Sequence, residues 1–147
     1  MYKLVSAMTL ALFSLSVSAA EHQVKMVNNG KDGMMSFEPT FLKAEKGDTV
    51  KFIKADAAHN SASVLVPAGA KEWKGKMDEE IIVPLTQDGV YVYVCDPHKT
   101  MGMAGVIQVG KPTNLDSAKA EADKLSKSFV MNLSLIHISE PTRRRGI

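Results

Sequence analysis

The strongest β-forming run in the chain ends at its only cysteine. Valines alternate there with two tyrosines and that cysteine, in the order Val90, Tyr91, Val92, Tyr93, Val94, Cys95. Residues 87–89, Gln-Asp-Gly, supply a turn immediately before them. Because successive side chains of a strand point to opposite faces of a sheet, the run predicts a strand with its valines on one face. The tyrosines and the cysteine share the other face, and we expect both tyrosines to lie in the core.

Six further β-forming runs accompany this strand. They span residues 22–27, 36–44 with an interruption at Pro39, 49–54, 61–66, 80–85 and 105–109. Between the first two, residues 28–33 read Asn-Asn-Gly-Lys-Asp-Gly, a composition typical of a turn. About seven short strands at this spacing predict an all-β protein, an antiparallel sandwich that occupies residues 21–111 as one domain.

A helical pattern follows the last strand. Apolar residues recur there at helical spacing, with charged residues between them: Ala118, Ala122, Leu125 and Phe129. Asn114 and Asp116 precede the pattern as candidates for the N-terminal cap. The pattern predicts a C-terminal helix within residues 112–132 that packs on the β domain.

The first 20 residues have the features of an export signal. Lys3 is followed by an apolar run without charge from Leu4 to Val17, and then by the small residues Ser18, Ala19 and Ala20. The apolar run is too short to span a bilayer comfortably, although an uncleaved membrane anchor is the alternative. We therefore expect residues 1–20 to be a cleaved signal peptide, leaving an exported protein with no membrane segment.

The last 15 residues, 133–147, resemble the in-frame translation of a sequencing-library adapter. We expect them to be a non-native tail, with a genuine basic tail as the alternative. Without both ends, residues 21–132 hold 14 basic and 15 acidic residues, so the basic isoelectric point of about 8.6 is largely due to the ends. This near-neutral stretch has no stripe of basic residues accompanied by aromatic side chains on which bases could stack. We therefore do not expect a nucleic-acid partner.

A set of potential metal ligands surrounds the cysteine. His98 follows Cys95 after a turn stiffened by proline, a methionine stands within the same short loop, and His59 ends another run. Two imidazoles, one thiolate and one thioether are the ligand types of a type 1 copper site, whereas zinc rarely recruits methionine. Haem attachment needs a second cysteine, and an iron–sulfur cluster usually needs four. The pattern therefore predicts one copper ion; a buried inert thiol is the alternative.

These motifs resemble the cupredoxins, the type 1 blue copper proteins, and among them the pseudoazurin group. The resemblance rests on His59-Asn60, on Cys95-x-x-His98-x-x-x-x-Met103, and on the segments 24–30, 37–39, 47–50, 67–70 and 101–103. It implies a Greek-key β-sandwich of seven to eight strands with a C-terminal helix. It also implies a periplasmic electron carrier that serves copper nitrite reductase, nitrous oxide reductase or a cytochrome-type partner.

The resemblance assigns roles to individual residues. The implied copper ligands are His59, Cys95, His98 and Met103. Asn60 corresponds to a residue whose backbone N–H points at the thiolate sulfur, and Pro97 to one that packs against the exposed histidine. The methionine at 101 has the spacing of amicyanin and is the alternative axial ligand. Asp96 departs from the family pattern, and an ionised carboxylate there should stabilise Cu(II) and lower the reduction potential.

A docking surface is a further expectation from the sequence. Met101 is expected to point outwards and to form an apolar patch beside His98. Lysines that could surround this patch are Lys99, Lys71, Lys74 and Lys76. Charges of this kind steer association with a partner, although a solvated lysine face without function is the alternative.

Three functional classes remain open at this point. The first is a monomeric electron-transfer protein, which is not an enzyme because four protein ligands leave no open position for a substrate. The second is a copper-handling protein that binds the ion without redox cycling. The third is an adhesive or structural sandwich domain in which the cysteine and histidines coincide by chance.

Overall fold

The computed structural model describes residues 19–130, in which eight strands form two sheets and one helix follows. The strands are β1 (Glu21–Gly30), β2 (Gly33–Glu38), β3 (Phe41–Ala44), β4 (Thr49–Lys54), β5 (Ala62–Leu65), β6 (Ile81–Pro84), β7 (Gly89–Val94) and β8 (Ala104–Val109). The helix is α1 (Leu115–Ser126). The expected tail at 133–147 and residues 1–18 of the expected signal peptide lie outside the described residues. The expected sandwich with a C-terminal helix is confirmed.

The two sheets are mixed, so the expectation of an antiparallel sandwich is wrong. One sheet has the order β2-β1-β4-β6 and the other β3-β8-β7-β5. Strand β1 pairs with β4 in parallel, and β3 pairs with β8 in parallel. Turn residues in the sequence predict hairpins, in which consecutive strands pair antiparallel. The parallel pairs join strands across long connections, which leave no local signal.

The segment expected as one extended run over residues 36–44 is divided between the two sheets. Strand β2 ends at Glu38 and belongs to the first sheet, whereas β3 begins at Phe41 in the second. Pro39 lies at the crossing, where its missing N–H removes no ladder hydrogen bond. The turn expected over residues 28–33 is also shorter than predicted, because Gly30 already pairs with Gly33.

Strand β7 separates two apolar clusters. Tyr91 and Tyr93 face the space between the two sheets together with Cys95, as the alternation predicts. The valines of β7 face the opposite side, where Ala118 and Leu125 of the helix and Phe129 just after it cover them. Both faces of the strand are therefore buried, and the cysteine at its end is held inside the domain.

The helix is joined to β7 by a polar side chain as well as by apolar packing. Asn114 is the N-terminal cap residue of the helix, as the sequence suggested, but its side chain makes no capping hydrogen bond. Its Oδ1 instead accepts from the backbone N–H of Val90 at 2.7 Å, and its Nδ2 donates to the Val90 carbonyl at 2.9 Å. Within the part of the chain that the structure describes, no helix is both long and apolar enough to cross a membrane.

The two core tyrosines differ in how their hydroxyl groups are satisfied. Tyr91 donates to the Gln87 carbonyl at 2.9 Å and accepts from the Gln87 N–H at 3.2 Å. Tyr93 is fully buried against Phe37 and Phe52, and its hydroxyl has no hydrogen-bond partner among the described residues. A buried hydroxyl without a partner destabilises the folded state. Removing the hydroxyl should therefore change the free energy of unfolding in opposite directions at the two tyrosines.

Replacing Tyr93 with phenylalanine should therefore raise the free energy of unfolding by about 1 kcal/mol. Tyr91→Phe is the matched control, and it should lower that free energy by about 1 kcal/mol because two hydrogen bonds are lost. Urea unfolding of the apo-protein, followed by circular dichroism, measures both changes. Equal destabilisation by the two substitutions would show that the Tyr93 hydroxyl is satisfied.

Candidate metal centre

The four expected ligands come from two loops, and three of their side chains meet at one end of the sandwich. His59 lies in the connection between β4 and β5, and Cys95 follows the last residue of β7. His98 and Met103 belong to the loop from β7 to β8, which contains a single 3-10 turn at Lys99–Met101. Because Val94 pairs with Ala104, the ends of β7 and β8 hold both sides of this loop.

The ligand atoms are close enough to share one ion. Cys95 Sγ lies 3.7 Å from Nδ1 of His59 and 3.4 Å from Nδ1 of His98. The ligand atoms of these three residues all lie within 4.8 Å of one another. Met103 is fully buried, and it belongs to the same loop and the same apolar cluster as Cys95.

Backbone hydrogen bonds hold the ligand loop in a tight shape. The N–H of Cys95 donates to the Met103 carbonyl at 3.0 Å, and the N–H of Met103 donates to the His98 carbonyl at 3.2 Å. Gly102 ends the 3-10 turn with φ of 85°, a left-handed conformation that glycine adopts without strain. Gly102 thereby turns the chain from the 3-10 turn into Met103.

The ligand loop also makes a hydrogen bond with the segment that follows the helix: the N–H of Val130 donates to the Thr100 carbonyl at 2.7 Å. The segment after the helix therefore reaches back to the metal end of the sandwich.

Asn28 orients His59, a role that the sequence did not reveal. The Nε2 of His59 lies 2.9 Å from Oδ1 of Asn28. Since an amide oxygen can only accept, Nε2 carries the proton and Nδ1 keeps a lone pair facing Cys95. The sequence placed Asn28 in a turn, and a separation of 31 positions along the chain leaves no local signal of the contact.

Burial and hydrogen bonds act in opposite directions on the thiol. Burial raises the pKa of Cys95 most, and the charge of Asp96 adds to this, whereas backbone N–H groups of Asn60 and His98 lower it. The Asn60 hydrogen bond agrees with the role that the resemblance implies. Burial lowers the pKa of His59, and the nearby charge of His98 lowers it by a smaller amount. Without an ion the site therefore favours a neutral thiol and a neutral imidazole.

The donor set fits type 1 copper. Two imidazole nitrogens and one sulfur face one another, the thioether of Met103 is buried in the same loop, and the second nitrogen of His59 is already occupied. Such a set suits both oxidation states of copper, so a bound ion supplies one-electron redox chemistry. The protein contributes ligands held by strand ends, which limits their movement when the charge of the site changes.

The remaining predicted residues are placed unevenly around this centre. Pro97 is exposed in the turn between Cys95 and His98. Met101 was expected to point outwards, but it is half-buried. Lys74 and Lys99 line one groove together, whereas Lys71 and Lys76 are exposed outside its lining. The roles of these residues stay predictions.

Known proteins resemble this chain in sequence and in structure. The family model of copper binding proteins of the plastocyanin/azurin family matches residues 24–110. A pseudoazurin from Paracoccus pantotrophus is 41% identical over 120 residues, which cover 78% of this chain and 83% of that protein. The solved structure of a Sinorhizobium pseudoazurin is 46% identical, with a TM-score of 0.67 over 72% of this chain and 93% of that one. A pseudoazurin structure from Methylobacterium extorquens AM1 is 39% identical, with a TM-score of 0.66 over 68% and 84%.

The chain belongs to the plastocyanin/azurin family of copper-binding proteins, and within it to the pseudoazurins. It is thus a blue-copper electron carrier and not an enzyme. The resemblance stated from the sequence is confirmed, and the adhesive or structural domain is excluded.

The thiol should be indispensable for the colour of the copper protein. Cys95→Ser removes the only sulfur that can form the Cu(II)–thiolate bond, so the intense visible absorption should disappear. Absorption spectra of copper-loaded wild type and variant measure this, and circular dichroism controls for folding. A folded variant that stays blue would contradict the assignment of Cys95.

The two methionines of the loop should differ in their effect on the site. Met103→Leu removes a fully buried thioether and should shift both the visible spectrum and the reduction potential. Met101→Leu, at a half-buried position in the same loop, is the matched control and should change both little. The opposite ranking in voltammetry and absorption would transfer the axial role to Met101.

Proposed function

We propose that the chain shuttles single electrons between redox proteins of the periplasm, and that electrons enter and leave through His98. The supporting observation is the exposure of the ligands. His59, Cys95 and Met103 are fully buried, whereas His98 is partly exposed. The imidazole edge of His98 is therefore the shortest path from the ion to a partner's surface.

A copper-handling role fits the geometry less well. Delivery of an ion needs ligands that a recipient can reach and displace. Two ligands here are anchored in the core, and a third is held by Asn28. A preorganised site of this kind favours electron transfer, because little has to move when the electron arrives.

The proposed docking surface lies beside His98. A groove of about 340 Å³ borders Lys99, Lys74 and Trp73. Lys99 follows His98 directly, so its charge lies next to the proposed exit of the electron. Lys71, Lys76 and the half-buried Met101 extend this surface in the proposal, in which the lysines steer an acidic partner and Met101 adds apolar contact.

The proposed partners come from the pseudoazurin resemblance. They are copper nitrite reductase, nitrous oxide reductase or a cytochrome-type protein, which places the carrier in denitrification or a related periplasmic reduction. The proposal includes export by the signal at residues 1–20, release as a soluble monomer, and one copper ion per chain.

Reversing a charge beside His98 should slow electron transfer to an acidic partner. Lys99→Glu should lower the second-order rate constant about tenfold at low ionic strength, and the difference should shrink as salt screens the charges. Lys111→Glu is the matched control, because Lys111 follows β8 at the opposite end of the sandwich. Stopped-flow oxidation by copper nitrite reductase across a salt series measures the rates, and voltammetry corrects for driving force. Equal rates for the two variants at low salt would refute the docking surface.

A further inference from the structure

Asp96 connects the two loops that carry the metal ligands. Its backbone N–H donates to Oδ1 of Asn60 at 2.8 Å, and Nδ2 of Asn60 donates back to Oδ2 of Asp96 at 2.9 Å. Asn60 is buried and follows His59, while Asp96 follows Cys95. The carboxylate is therefore held at a fixed position beside the thiolate ligand.

Lys74 neutralises this carboxylate from the solvent side. Its Nζ lies 3.2 Å from the same Oδ2 that Asn60 contacts. The backbone at Lys74 is fixed, because Ala62 pairs with Lys74 in an isolated bridge and the N–H of Gly75 donates to the Ser61 carbonyl. The Lys74 side chain is 74% exposed, so a partner in the groove can reach it.

The carboxylate of Asp96 accepts a hydrogen bond from Nδ2 of Asn60 and pairs with the ammonium of Lys74, and both contacts favour its charged form. Loss of an electron makes the copper site more positive, so a fixed negative charge beside it stabilises the oxidised state. A lysine ammonium on that carboxylate offsets part of this effect.

We propose that Lys74 is the exchangeable counter-ion of Asp96 and couples the docking of an acidic partner to the reduction potential of the copper site. A partner carboxylate that draws Lys74 away leaves Asp96 less compensated. The potential then falls, and release of the electron to the bound partner becomes more favourable. The inference rests on the proposed carrier function and makes Asp96 and Lys74 tuning residues of the site.

A double-mutant cycle on the isolated copper protein tests the coupling. Asp96→Asn should raise the potential, changing the equilibrium constant of reduction by about fivefold. Lys74→Gln should change it about twofold in the opposite direction. In the Asp96→Asn background Lys74→Gln should have little effect, because the ion pair that holds this exposed lysine near the site is already lost. Equal effects of Lys74→Gln in both backgrounds would overturn the proposal.

The apo-protein gives a second readout that needs no copper. Lys74→Gln should move the carboxyl ¹³C resonance of Asp96 and the side-chain amide resonance of Asn60. Lys111→Gln is the matched control, since Lys111 is exposed after β8 at the opposite end of the sandwich and makes no ion pair within residues 19–130. Resonances that stay in place after Lys74→Gln would show that the pair does not form in solution.

An acidic probe completes the test. Saturating hexaglutamate should lower the potential of the wild type more than that of Lys74→Gln, with Lys111→Gln behaving as the wild type. An equal fall in all three proteins would overturn the link to docking. None of these measurements uses a redox partner, so failed transfer to nitrite reductase would count against the proposed function alone.

Discussion

The burial of β7 on both faces is the constraint on which the rest of the structure depends. One face of the strand contributes its tyrosines to the space between the sheets, and the other contributes its valines to the contact with the helix. All six residues of the strand are buried. Cys95 therefore emerges from the most constrained element of the domain, and the position of its sulfur is set before any metal binds.

The metal centre is then completed by contacts between residues far apart in the chain. Asn28 sets the tautomer of His59, and Asn60 and Asp96 hold the two ligand loops against each other. Each contact uses a side-chain amide that is partly or fully buried, where a hydrogen bond left unmade would be costly. The same contacts keep the ligands in place in both charge states of the site, as an electron carrier requires.

The ligand set could be predicted because its spacing is local. Cys95, His98 and Met103 lie within one loop, where residue types and distances along the chain already limit the geometry. The mixed sheets could not be predicted, since parallel pairs such as β1 with β4 join strands without a connecting turn. The position of Asn114 at the start of the helix could be predicted, but the partner of its side chain could not. Its partner Val90 is 24 residues away, and local patterns report only local hydrogen bonds.

By itself the sequence determined the alternation of β7, the type of metal and the family, because periodicity and ligand chemistry are properties of residue types. Only the tertiary structure decided which polar side chains support the ligands and which lysine meets Asp96. The residues in these contacts are separated by up to 36 positions along the chain. Folding brings them together through strand pairing and burial, and a single sequence carries no record of a distance between such residues.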